Sequence, residues 1–157
     1  MDSLVYLETT VVSYLTAWRS PHLVMAANQE ATRNWWDEER GKFRVCISQA
    51  VIEEASAGDP RAAQRRLEIL EDLPELDITD EARALAKELL AGVPLPRQAE
   101  VDALHIAVAT AHGADYLLTW NCRHIANAAL RHRIETVCRS QGLEPPIICT
   151  PLELMEG

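Results

Sequence analysis

Three carboxylates and one amide stand where this chain is patterned for chemistry. Glu8 directly follows the apolar run Leu4-Val5-Tyr6-Leu7, and Glu54 lies six residues after Ser48 in a short helical segment. Asp102 falls in the first turn of an apolar helix, and Asn121 comes just after Tyr116-Leu117-Leu118. Glu53 and Glu54 are neighbours that diverge by about 100° on a helix, so only one of them can serve a given point. Three carboxylates meeting in a small space with an amide oxygen repel one another unless a divalent cation neutralises them. Hard oxygen donors without His or Cys suit Mg²⁺ or Mn²⁺ rather than zinc. A cation held this way acidifies a bound water and offsets charge on a phosphate, which is the logic of metal-assisted phosphodiester cleavage.

The elements that must bring these residues together begin with the stretch from Ala99 to Asn127. From Val101 to His112 nearly the whole helix circumference is apolar, leaving a narrow polar stripe of Gln98, His105 and His112. Such a helix is buried. Gly113 ends it, and the strand-like run Tyr116-Leu117-Leu118 delivers Thr119, Trp120 and Asn121 at its carboxyl end. Earlier in the chain, the parse is strand, polar turn, helix: Leu4 to Leu7, then Glu8-Thr9-Thr10 with Thr9 or Thr10 as helix N-cap, then Val11 to Leu15.

The remaining elements follow from caps and breakers. A helix is expected from about Leu23 to Glu39, with Trp35 and Trp36 as packing anchors or an interface. A second strand spans Phe43 to Ile47, and Ser48 is placed to cap a helix from Gln49 to Ala57. Asp59-Pro60 starts another helix whose apolar edge is Leu67, Leu70 and Leu73, with Arg61, Arg65 and Arg66 on a solvated face. Leu76 to Ile78 is a brief strand or link, Thr79 or Asp80 caps Glu81 to Ala91, helix returns across about Ile125 to Gln141, and Ile147-Ile148-Cys149 is a last strand. Apolar rather than alternating strands, separated by helices, indicate an α/β fold with a parallel sheet covered on both faces. In such sheets the ligand crevice lies beyond the carboxyl ends of the strands, where Glu8 and Asn121 project.

Composition narrows the classes. A chain of 157 residues, 48% hydrophobic and 25% charged, fits one globular domain over residues 1–157 and excludes extensive disorder. No apolar run spans a bilayer, and the start lacks the basic region of a secretory signal, so a cytoplasmic location is expected. The four cysteines form no CxxC pair; structural roles are expected, with Cys122 beside Arg123 the one to watch. A formal charge of −9 repels nucleic acid on average. Between Thr119 and Ser140, however, four arginines (Arg123, Arg131, Arg133, Arg139) face the single acid Glu135, a pattern that fits either a solvated helix face or a phosphate-contacting patch.

The segments LVYLETTVVSYL, CISQAVIEEASAGDP and VDALHIAVATAHGADYLLTWNCRHIAN, in this order and separation, make the chain resemble the PIN-domain family. The likeness is in particular to the VapC-like toxins of bacterial type II toxin–antitoxin systems. The resemblance implies a compact three-layer α/β/α domain around a central parallel sheet, with clustered acidic residues that bind Mg²⁺ or Mn²⁺ and cut RNA to a 5′-phosphate and a 3′-hydroxyl. Carried over by position, the acidic residues are Glu8, Glu54 and Asp102, with Asn121 at the fourth, usually acidic, place. Most PIN nucleases have Asp where this chain has Glu8, and Asn121 keeps an oxygen while losing a charge; both departures bear on metal geometry and affinity.

On that reading Glu8 and Asp102 hold the metal, Asn121 ligates it or orients a metal-bound water, and Glu54 completes the cluster or positions the attacking water. Thr10 and Thr119 are candidates to hydrogen-bond the cluster or a phosphate, with N-capping and strand-end roles as the alternative. His105, one turn beyond Asp102, either orients it or fills a core position. Arg123 and His124 are the candidates for contacting RNA phosphates. The expected partners are RNA, a cognate antitoxin whose cation enters the acidic groove, and a second copy of the chain in a homodimer, with no membrane. A catalytically weak or inactive PIN-like module that binds RNA or protein is the competing expectation. No GxGxxG follows the first strand, which argues against a dinucleotide site.

Overall fold

The computed structural model describes residues 2–155. Its centre is the strand β1 (Leu4–Leu7), whose Val5, Tyr6 and Leu7 are wholly buried. Four further strands complete the sheet: β2 (Arg44–Ser48), β3 (Glu75–Leu76), β4 (Tyr116–Leu118) and β5 (Ile147–Cys149). All pair in parallel, in the order β3-β2-β1-β4-β5. Val5 is registered with Val45 on one side and Tyr116 on the other, so β1 is sealed between neighbours and both its faces lie under helices. That is why its residues need not alternate. The chain steps outward from β1 through β2 to β3 and then crosses to β4 on the opposite side. The strand order therefore reverses at β1, and the crevice between β1 and β4 is the point where parallel sheets hold ligands.

Seven α-helices flank the sheet among the described residues: α1 (Thr9–Thr16), α2 (Leu23–Asn34), α3 (Gln49–Ala55), α4 (Pro60–Leu70), α5 (Asp80–Gly92), α6 (Glu100–Ala111) and α7 (Ala128–Ser140). The first four pack chiefly among themselves, and α5 packs on α6 and α7, giving the three-layer α/β/α arrangement. Among the described residues, no helix is long and apolar enough to cross a membrane. Local chemistry sets several boundaries. Asp59 caps α4 through Ala62 N at 3.0 Å with Pro60 at the first helical position, and Thr79 rather than Asp80 caps α5 through Ala82 N at 3.1 Å. Gly113 and Gly142, at φ of 68° and 76°, turn the chain out of α6 and α7 in the left-handed conformation that other residues resist.

Several boundaries differ from those expected. The N-cap of α1 is Glu8, neither threonine, because its carboxylate reaches back to Thr10 N at 3.2 Å. Helix α2 stops at Asn34 and continues as a wider π turn, Trp35–Glu39. There Trp35 is wholly buried and stacked on Phe43 with centroids 6.0 Å apart, while Trp36 lies under the Arg40 guanidinium at 3.9 Å. Ser48 precedes α3 but makes no capping bond, since its hydroxyl is taken by Tyr6. The helix expected from Ile125 begins only at Ala128, because Asn121 O accepts from Ile125 N and Ala126 N and folds residues 119–127 into turns, after which Asn127 caps through Ala129 N at 3.0 Å.

Candidate metal centre

Glu8 stands at the carboxyl end of β1 and is only 2% exposed. Its carboxylate accepts from the backbone N and the hydroxyl of Thr10, and from the hydroxyl of Thr119 at 2.6 Å, the residue that follows β4. Strand pairing dictates this meeting, since Leu7 is registered with Leu118 and places the next residues of both strands side by side. Burial pushes the Glu8 carboxyl above its ordinary range, and the opposing influence of His105 and the threonine donors does not cancel that push. An anion here is under-compensated by the protein alone.

Glu54 arrives from the last turn of α3, with its side chain 36% exposed. One of its oxygens, Oε1, lies 2.6 Å from Thr9 Oγ1 and 2.6 Å from His105 Nε2. Burial raises its carboxyl, but the hydrogen bond and charge of His105, together with Thr9, outweigh burial and hold it below the ordinary range. His105 itself is wholly buried, and its Nδ1 is 2.7 Å from the Tyr6 hydroxyl, which in turn is 2.7 Å from Ser48 Oγ. Because the Glu54 carboxylate can only accept, Nε2 carries a proton toward it. Burial drives the Tyr6 hydroxyl far above its ordinary value, so it stays protonated, with its hydrogen to donate to His105 Nδ1 and its oxygen to accept from the Ser48 hydroxyl.

Glu8, Glu54 and His105 each offer one ligand atom within 4.8 Å of the others. Asp102 is not one of that group, and its Oδ2 is 2.8 Å from His124 Nδ1. His124 N donates to Asn121 Oδ1 at 3.0 Å, and Asn121 N donates to Thr119 Oγ1 at 2.9 Å. Asp102, His124, Asn121, Thr119 and Glu8 are thus joined by successive hydrogen bonds along one rim, while the adjacent Thr10 and Thr9 of α1 hold Glu8 and Glu54, and His105, one turn beyond Asp102 on α6, bonds Glu54. His105, open from the sequence to orienting Asp102 or filling a core position, is wholly buried and bonded to Tyr6 and Glu54, and Asp102 pairs with His124. Arg123 is exposed beside the rim. Trp120 fixes the loop to α1, donating its backbone N to Thr10 Oγ1 at 2.8 Å and stacking on Tyr14 at 5.5 Å.

The sequence does not mark Tyr6 and Ser48 as site residues, and it offers His105 only as a group that orients Asp102 or fills a core position. Tyr6 and Ser48 look like ordinary strand positions, and only the pairing of β1 with β2, with α6 above, brings them to His105. The donor set fits a divalent cation. Two carboxylates lie close together, one of them buried and short of positive charge, with oxygens as the available ligands and both imidazole nitrogens of His105 already engaged. A cavity of about 650 Å³ between α3 and α4, floored by Ile52 and Leu67, does not include Glu8, Asp102 or His105.

Among curated proteins none matches the chain. Residues 5–130 match the PIN domain, a family generally of metal-dependent nucleases, and this span includes every rim and cluster residue described above; the chain belongs to the PIN-domain family.

Proposed function

We propose that the protein is a metal-dependent endoribonuclease and the toxin of a toxin–antitoxin pair. The observation that carries the nuclease reading is the approach of Glu8, Glu54 and His105 to within 4.8 Å at the carboxyl edge of the sheet, in a PIN-family chain. Mg²⁺ or Mn²⁺ would be held by Glu8 with Asp102 and Asn121 along the rim, and Glu54 completes the acidic set. When bound there, the cation supplies an acidified water and charge compensation for the phosphate. The protein's own residues do the rest. His105 fixes the orientation of Glu54, His124 fixes Asp102, and the exposed Arg123 meets the phosphate backbone. Thr10 and Thr119 hold Glu8 in place, which leaves the substrate to be positioned by the outer groups.

The toxin assignment draws on the likeness of the three sequence segments to VapC-like proteins. It implies a cytoplasmic protein, a cognate antitoxin that inserts a cation into the acidic groove, and a homodimer. One observation favours a second reading, a binding module with weak or no turnover: Glu8 and Glu54 are already supplied with donors from Thr9, Thr10, Thr119 and His105. Titration calorimetry with Mn²⁺ and Mg²⁺ on the wild type and Asp102→Asn, beside cleavage of a structured RNA pool, decides between them. The nuclease reading expects binding and cleavage that EDTA and the substitution both abolish while circular dichroism is unchanged. RNA binding without metal uptake or turnover in the wild type would establish the binding module instead.

A further inference from the structure

Trp18 is 83% exposed in a chain whose other described core aromatics are tucked inward, and its position is built rather than incidental. The loop that carries it leaves the end of α1 and is pinned from beneath by Gln29 of α2, a polar side chain only 3% exposed. Gln29 Nε2 donates to Trp18 O at 3.1 Å, and Gln29 Oε1 accepts from Ser20 N at 2.9 Å. Arg33 adds a bond from its Nη2 to Ala17 O at 3.3 Å. A buried glutamine spent on holding the backbone of a loop that presents an indole to water sets the loop before any ligand arrives, which removes part of the ordering cost of binding.

The surroundings of the ring identify what it would bind. The Arg65 guanidinium of α4 lies over the indole, 5.4 Å from the ring centroid, with its Nε sealed from water and without a hydrogen-bond partner. Arg19 follows in sequence, and Arg33 reaches the neighbouring carbonyl. Among the described residues none of these three arginines forms an ion pair. A protein of formal charge −9 therefore sets one guanidinium over an exposed indole, with Arg19 next in the chain and Arg33 bonded to the loop from α2. Leu23 and Val24 are also exposed at the start of α2, but an indole under a guanidinium, with two more arginines close along the chain or bonded to its loop, suits a base with its phosphates. The sequence pattern had placed Arg65 on a solvated face, and the structure puts it against Trp18 instead.

Helix α1 connects this platform to the acidic cluster. It starts with Thr9 and Thr10, which hold Glu54 and Glu8, and its eight residues end just before Ala17 and Trp18. At about 1.5 Å per residue the two places are roughly 12 Å apart along the helix, a distance a single strand covers in a few nucleotides. We propose that Trp18, braced by Arg65, is a stacking platform for an unpaired base of a single-stranded RNA whose backbone runs along α1 to the Glu8–Glu54 cluster. The proposal rests on the nuclease reading and gives an unpaired base a place on the protein away from the acidic cluster, since a base held within a duplex cannot expose its face to an indole.

The test uses the full chain in EDTA, so that binding is read without metal or cleavage, with a fluorescein-labelled oligoadenylate alone and annealed to oligouridylate. Trp18→Ala is expected to weaken binding of the single strand roughly 5- to 150-fold, the range of one lost base–aromatic stack. Trp18→Phe restores most of it, Arg65→Gln weakens it, and the duplex is bound equally by all variants. Equal binding of the single strand by wild type and Trp18→Ala overturns the proposal, as does an equal loss for the duplex. Sedimentation of the same variants reads the alternative: if Trp18→Ala dissolves a dimer and leaves oligoadenylate binding unchanged, the face belongs to a second copy and the platform is overturned. Added Mn²⁺ separates this inference from the one beneath it. Trp18-dependent binding without cleavage supports the platform and sinks the nuclease reading, whereas cleavage by Trp18→Ala at the wild-type KM overturns the platform and leaves the nuclease standing.

Discussion

Glu54 and His105, fifty-one residues apart, meet through Oε1 and Nε2 at 2.6 Å, and the histidine's other nitrogen is tied to Tyr6. The carboxylate is therefore aimed by a group that is itself held from behind. Replacing His105 by Gln removes that aim while keeping a polar side chain. Outer partners of this kind typically change metal affinity by about 10- to 100-fold. Calorimetry of His105→Gln should show Mn²⁺ binding weakened to that extent; wild-type affinity would mean that Glu54 does not need its orienting histidine.

Glu8 and Glu54 should respond to pH in opposite directions. The folded state raises the Glu8 carboxyl above its ordinary 4.5, so its contribution to stability is fully present below 4.5 and is lost as pH rises through the folded value. It lowers that of Glu54, whose contribution is present above 4.5 and lost as pH falls through the folded value. Urea unfolding of metal-free protein at pH 4 and pH 8 reads both. Relative to wild type, Glu8→Gln should become more favourable at the higher pH and Glu54→Gln less favourable. Parallel pH responses of the two variants would refute the assignment.

A cation that offsets the buried Glu8 charge should stabilise the fold. At a concentration 100 times its dissociation constant, a ligand specific to the native state adds about 2.7 kcal/mol. Wild-type protein should therefore melt at a higher temperature in saturating Mn²⁺ than in EDTA, and Glu8→Gln should lose most of that difference. An undiminished shift in the variant would place the ion elsewhere.

Tyr6→Phe keeps the ring and deletes the hydroxyl between Ser48 and His105. Both partners are buried, so each loses a hydrogen bond that water cannot replace. The expected cost is about 1–3 kcal/mol in chemical denaturation. A variant as stable as wild type would show that Ser48 and His105 find other partners.

Gly92, the last residue of α5, has no room for a side chain, because a Cβ there would meet Val137 Cγ2 of α7 at 2.8 Å. Alanine is the better helix former by about 1 kcal/mol, yet Val137 is stiff at its first side-chain torsion and cannot swing clear. Gly92→Ala should destabilise the protein by about 1–3 kcal/mol. Val137→Ala should restore part of that loss in a double-mutant cycle, and strict additivity would locate the strain elsewhere.

The sequence by itself determined the alternation of strands and helices, because buried parallel strands read as short apolar runs and helices announce themselves by caps such as Asp59-Pro60 and Thr79. It also marked Glu8 and Asn121, which follow apolar runs, and Asp102, which opens an apolar helix, while the choice of Glu54 over Glu53 came from the resemblance to the PIN family. Only the tertiary structure decided who meets whom. Glu54 contacts His105 where α3 packs on α6, Asp102 meets His124 because residues 119–127 fold into turns, and Glu8 is capped by Thr119 because β4 lies beside β1. Trp18 and Arg65 come together only where α4 packs on α1. Periodicity is a property of neighbours along the chain and records which face of an element is buried; it carries no record of which distant element covers that face. Partners some 50 to 110 residues apart are selected by strand order and helix packing, which no local pattern encodes.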